Sequence, residues 1–131
     1  MRIAAAAIVA SVCLSGVTFA QQGAAKNELG DLSAAKLIEV RDGSSTAVLK
    51  GEFDHRQERD GDIDKSARLT GADRAYGEAD IDVEQSGEAE LEVEVRGLSA
   101  NQAFSVWIDG RQVGSLKTNG RGRAEVEWRN R

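Results

Sequence analysis

The 131 residues carry 17 lysines and arginines against 22 aspartates and glutamates, with one histidine, one cysteine and no proline. A formal net charge of −5 repels nucleic acid and anionic lipid, so neither is expected as a partner. A single cysteine excludes an internal disulfide, and a single histidine excludes a histidine-pair metal centre.

Met1-Arg2 gives a positive start, and Ile3 to Val17 is apolar or small throughout. Thr18-Phe19-Ala20 then places small residues at both positions that a signal peptidase reads. The apolar run is shorter than the roughly 20 residues a membrane span needs. Residues 1–20 are therefore predicted to be a secretory signal, cleaved after Ala20, and the product to be periplasmic or secreted with no membrane span. A lipoprotein anchor at Cys13 fits poorly, because Val12 precedes it where a small residue is needed. Cleavage removes the only cysteine, so stability must come from packing. Residues 21–131 suffice for one modest core and not for two domains. The expected division is an N-terminal extension over 21–45 and a β-domain over 46–131.

Within the extension, Leu29, Leu32 and the apolar residues of Lys36–Val40 fit either a short helix or a strand over Lys36–Arg41. The β-branched residues beside the Asp42-Gly43-Ser44-Ser45 turn signal favour the strand. From Thr46 a period of two takes over. Ala47, Leu49, Gly51 and Phe53 alternate with Val48, Lys50, Glu52 and Asp54, and Ala67 and Leu69 resume the pattern up to Gly71. The charged stretch His55–Lys65 between them reads as the solvated tip of a long hairpin.

Ala79, Ile81 and Val83 then alternate with Glu78, Asp80, Asp82 and Glu84. After Gln85-Ser86-Gly87, Ala89, Leu91, Val93 and Val95 alternate with Glu88, Glu90, Glu92 and Glu94. Alternation this strict predicts strands with one buried and one wet face. Phe104–Ile108 and Val113–Thr118 flank Asp109-Gly110, a pair suited to a type I′ turn. A two-residue loop there opposes Val106 to Val113 but turns Leu116 outward, and a β-bulge would reconcile the two. Asn119-Gly120-Arg121-Gly122 turns the chain again, and Ala124, Val126 and Trp128 share one face of a last strand. The sum is an all-β fold, a small antiparallel sandwich of about six to eight strands.

The chemistry that such a chain can carry is narrow. If the strands around Gln85-Ser86-Gly87 pair, their carboxylates crowd one surface, and like charges opposite one another destabilise a sheet. Three remedies are open: a hard cation such as Ca²⁺ on Asp80, Asp82, Glu90 and Glu92; the basic C-terminal cluster Lys117, Arg121, Arg123, Arg129 and Arg131; or separation of the two strands into different sheets. Asp60, Asp62 and Asp64 have the spacing of the start of a calcium loop, but Lys65 and Gly71 stand where an EF-hand needs glycine and glutamate. His55 has no nucleophile elbow around any serine, so no catalysis is expected. Trp107 points opposite to Val106 and Ile108, which makes it the candidate ring for stacking a glycan. Trp128 is expected in the core. No cofactor is required, with Ca²⁺ as the alternative, and the expected partner is a protein or a glycan.

Ala67-Arg68-Leu69-Thr70-Gly71, Gly77-Glu78-Ala79, and Leu91–Val95 leading to Gly97-Leu98 resemble segments of small secreted β-domains of the immunoglobulin-like or CHRD-like kind. The resemblance spans Ala67–Leu98 and implies an Ig-like sandwich. CHRD-type domains carry histidines after the Gly-Leu step, where this chain has Ser99-Ala100-Asn101-Gln102, so no site is carried over. The sequence thus points to an exported, non-catalytic module with a binding or structural role at the cell envelope. The alternatives are a calcium-dependent module and a glycan-binding module.

Overall fold

The structure, a computed structural model, describes residues 29–54, 56–57 and 61–130. The segment read as a signal peptide lies outside that range, as do His55 and Asp60. The strands are β1 (Leu37–Arg41), β2 (Ala47–Glu52), β3 (Arg56–Gln57), β4 (Ile63–Gly71), β5 (Tyr76–Val83), β6 (Ala89–Arg96), β7 (Ala103–Ile108), β8 (Arg111–Lys117) and β9 (Ala124–Asn130). A single 3₁₀ turn, Leu32–Ala34, precedes them. Strand neighbours run β8-β7-β1-β2-β4-β5-β6-β9, with β3 on β4, and the pairings are antiparallel.

The all-β, antiparallel expectation holds. The two layers of a sandwich are joined here into one continuous sheet, which curls until its end strands β8 and β9 lie side by side. The barrel begins well before residue 46. Strand β1 sits between β7 and β2, and Ile38 and Val40 point into the core beside Leu29, Leu32 and Ala35. The strand reading of Lys36–Arg41 is therefore correct, and the expected extension is part of the domain from Leu29 onward.

Alternation places the core. Residues opposite one another across β4, β5, β6 and β9 form inward rungs: Lys65–Ile81–Leu91–Trp128, Ala67–Ala79–Val93–Val126 and Leu69–Gly77–Val95–Ala124. Ile38, Val40, Leu49, Phe104, Val106 and Ile108 face them from the other wall. Lys65 corrects the reading of His55–Lys65 as a wet tip. It continues the period of Ala67 and Leu69, so the pleat carries it inside, where it is buried.

The two-residue turn is present, with Asp109 at φ 51° and Gly110 at φ 81°. Register slips between Val106 and Trp107 relative to β8, so Val106 faces Gly114 and the bulge offered as a way to reconcile Val113 with Leu116 is present. It brings both Val113 and Leu116 into the core.

Strands β8 and β9 share no ladder. The join is made by side chains and loops. A Cβ on Gly114 of β8 would lie 2.7 Å from the Trp128 indole, so the ring packs flat against bare backbone. Above it, the Thr118 hydroxyl donates to the Ser99 carbonyl (2.6 Å) and accepts from the Gln102 N–H (3.0 Å). Leu98 N–H reaches the Gly122 carbonyl (3.2 Å) and Asn101 N–H the Asn119 carbonyl (3.0 Å). These bonds fasten the β6–β7 crossing to the β8–β9 loop.

Gly114→Ala is expected to lower unfolding free energy by roughly 1–3 kcal/mol, because the methyl must displace the buried indole. Gly120→Ala, where a Cβ meets nothing within 4 Å, is the control expected to stay near wild type. Urea titration of both variants checks this.

Candidate functional site

The outward positions of β4, β5, β6 and β9 form a second set of rungs on the same pleat. They are Asp64–Asp82–Glu90–Arg129, Ser66–Asp80–Glu92–Glu127 and Arg68–Glu78–Glu94–Glu125. Each rung holds three carboxylates, with at most one cation. Of the three remedies for this crowding, separation into different sheets is overturned: β5 and β6 pair directly, with Asp80 opposite Glu92 and Asp82 opposite Glu90. The basic C-terminal remedy is met on this face through Arg129, which bonds Glu90 at 2.9 Å and lies 3.5 Å from Glu127. Arg96 adds a pair with Glu94 at 3.0 Å.

Among the described residues no group of three acidic, histidine or cysteine side chains is arranged to hold a metal ion. Neighbouring strands stand about 4.8 Å apart, and the outward curve of a barrel splays their side chains instead of converging them. Asp80, Asp82, Glu90 and Glu92 are thus brought onto one surface as neighbours in register, not as a cage. Asp62 and Asp64 are not arranged as ligands of one ion. The Asp62 carboxylate accepts the Gln85 N–H at 2.9 Å, closing the β5–β6 turn, while Asp64 sits within β4 on the acidic face.

The crowding alters titration. Partial desolvation raises Asp82 above the ordinary carboxylate value, and the charges of Asp64 and Asp62 add to it. Glu90 is raised first by a hydrogen bond with Glu127 and then by desolvation, against the pull of Arg129. Glu92 is raised by desolvation, then by a hydrogen bond with Glu125 and by surrounding carboxylates. At these three groups the folded barrel holds protons more readily than the unfolded chain.

Trp107 is half-buried on the opposite outer wall. The Arg41 guanidinium lies over its ring, 4.1 Å from the centroid, and its Nε1–H donates to Ser105 Oγ at 2.8 Å. Glu39 in turn holds Arg41 through both Nε (3.0 Å) and Nη2 (2.6 Å). One ring face is therefore already occupied by a cation that is fixed in place.

Sequence reasoning missed Glu125 and Glu127 as members of the acidic face. Their alternation with Ala124, Val126 and Trp128 marked them as outward. Nothing local said that β9 lies beside β6. Comparison of the chain with known protein families, characterised proteins and solved structures returns no match.

Raised carboxylates make folding bind protons, so stability falls as pH rises through the window from the ordinary carboxylate range up to the raised values. Melting temperature is expected to climb as pH is lowered through that window. Loss sets in only at lower pH, where groups such as Asp31, held low by the hydroxyl and N–H of Ser33, take up protons. Glu92→Gln is expected to stabilise the barrel at neutral pH by about 0.5 kcal/mol and to flatten the acid-side rise. Scanning calorimetry over the pH series reads both effects.

Proposed function

We propose that the chain is an exported, non-catalytic β-barrel module that binds a lysine- and arginine-rich protein surface at the cell envelope through its four-stranded acidic face. The observation that supports this reading is the register of the carboxylate rungs. Like charges held opposite one another weaken a sheet, and a cationic partner that approaches the face relieves that repulsion on binding. The signal-like residues 1–20 support export, and the resemblance over Ala67–Leu98 supports a secreted module.

A splayed array of carboxylates suits several distributed cations better than one ion that needs six to eight converging oxygens. This favours the cationic partner over the calcium-dependent module. The covered ring of Trp107 argues for the acidic face over glycan stacking.

The test uses an oligolysine peptide, Ca²⁺ and Mg²⁺ at matched ionic strength, with thermal unfolding and calorimetry as readouts. Oligolysine is expected to stabilise the barrel, with affinity falling steeply as salt is added. The double variant Glu92→Gln, Glu127→Gln is expected to weaken it at least about tenfold, a loss near 1.4 kcal/mol. Stabilisation by millimolar Ca²⁺ but not Mg²⁺, near 2.7 kcal/mol at a hundredfold excess over Kd, would replace this reading with a calcium-dependent module. Indifference to all three would remove the acidic face from the function.

A further inference from the structure

The two ends of the barrel are finished differently. At the end where β1 starts and β7 finishes, Leu29, Leu32 and Ala35 add to the core from outside the strands. Arg111 Nη2 donates to the Leu29 carbonyl (2.6 Å), and the Asp109 carboxylate accepts the N–H groups of Lys36 (3.2 Å) and Leu37 (2.9 Å). At the opposite end β2 and β7 start while β4 and β6 finish, and a hollow of about 450 Å³ opens among their loops.

The hollow has an apolar wall and a polar rim. Leu49 and Phe104 reach it from the core, and Val48 and Leu98, both only partly buried, flank them. Thr46, Thr70 and Ser99 bring hydroxyl groups to the rim, and Lys50 and Asp73 bring one charge of each sign. Lys50 is already compensated by Glu39 at 3.7 Å. Asp73 is exposed on its turn, where water screens it. Neither charged head therefore gains much here, and an uncharged head that can donate and accept hydrogen bonds fits best.

The walls are fixed by bonds of their own. Ala75 N–H donates to the Ala72 carbonyl (3.1 Å) and Leu98 N–H to the Gly122 carbonyl (3.2 Å). The Asp42 carboxylate accepts the N–H groups of Ser44 (2.8 Å) and Thr46 (3.0 Å). A Cβ on Gly97 would lie 2.6 Å from the Arg74 carbonyl oxygen, so the β6–β7 crossing is pressed against the β4–β5 turn. No core residue has to move for the hollow to fill. Its size lies within the range of small-molecule sites, and the mouth of a β-barrel is a usual place for one.

We infer that this hollow binds a small uncharged amphiphile, an aliphatic chain with a hydroxyl head. The chain lies along Val48, Leu98 and Phe104, and the head meets the hydroxyl groups of Thr46, Thr70 and Ser99. A carboxylate or ammonium in the same place loses hydration that this rim does not replace.

The experiment adds octanol, octanoate or octylamine to the purified chain, each below its solubility limit, and follows binding by calorimetry and backbone amide shifts. Octanol is expected to bind saturably at one site, about threefold or more tighter than either charged compound. Its shifts are expected to gather at residues 46–50, 70–75 and 97–99. Ala72→Trp fills the hollow from an exposed turn and is expected to weaken octanol at least about tenfold, with its fold checked by circular dichroism. Ser99→Tyr fills it from the opposite wall and serves if Ala72→Trp does not fold. Gly43→Ala, outside the lining and with nothing within 4 Å of the new Cβ, is expected to bind as wild type does. Failure of octanol to saturate, shifts that gather elsewhere, or undiminished binding by a folded filling variant would overturn the proposal. So would a preference for octanoate or octylamine at these residues. The hollow lies at the end of the barrel, so these outcomes are independent of what the acidic face binds.

Discussion

The contact between the Trp128 indole and Gly114 makes the sheet a barrel. Strands β8 and β9 are the ends of the pairing order, so among the described residues no strand ladder closes the cylinder. A large apolar ring laid on a residue without a side chain brings the two ends together and keeps water from the core. The Thr118 bonds hold the loops beyond that contact, and Asp109 and Arg111 tie down the chain at Leu37 and Leu29. Closure by packing also protects two sheet ends that would otherwise invite pairing with another chain.

Closure also fixes which way every residue points. On four adjacent strands the inward positions, Lys65 excepted, are apolar and the outward positions are mostly acidic, so a single pleat builds the core and the charged face together. The face carries its repulsion because register cannot change: a slip of one residue on β5 or β6 would bury a row of glutamates. Arg129 relieves it at Glu90 and Glu127, and Arg96 at Glu94. Proton uptake at Asp82, Glu90 and Glu92 is the remaining intramolecular outlet.

Local features were legible in the sequence. The alternation of Ala79–Val83 and Ala89–Val95, the Asp109-Gly110 turn, the bulge offered to reconcile Val113 with Leu116, and the burial of Trp128 all follow from periods and turn chemistry within about ten residues. The pairing of β1 with β7 and of β6 with β9 was not legible, because no local pattern specifies a distant neighbour. That is why the N-terminal residues looked like an extension, and why Glu125 and Glu127 were missing from the acidic face. Lys65 was misread for a different reason. A lysine beside Asp64 in a run of charges looks solvated, and only the inward phase of Ala67 and Leu69 shows otherwise.

The strand order bears on how the chain reaches this state. Val40 must find Val106 before the β7–β8 hairpin joins the rest of the sheet, and Val93 must find Val126 before β9 does. Such distant pairings are reached only after large loops have closed, which places refolding in the millisecond-to-second range typical of barrels. The chain contains no proline, so it has no slow prolyl isomerisation to add a later phase. Its refolding is thus governed by topology alone, and during that search its acidic strands keep partly folded copies apart.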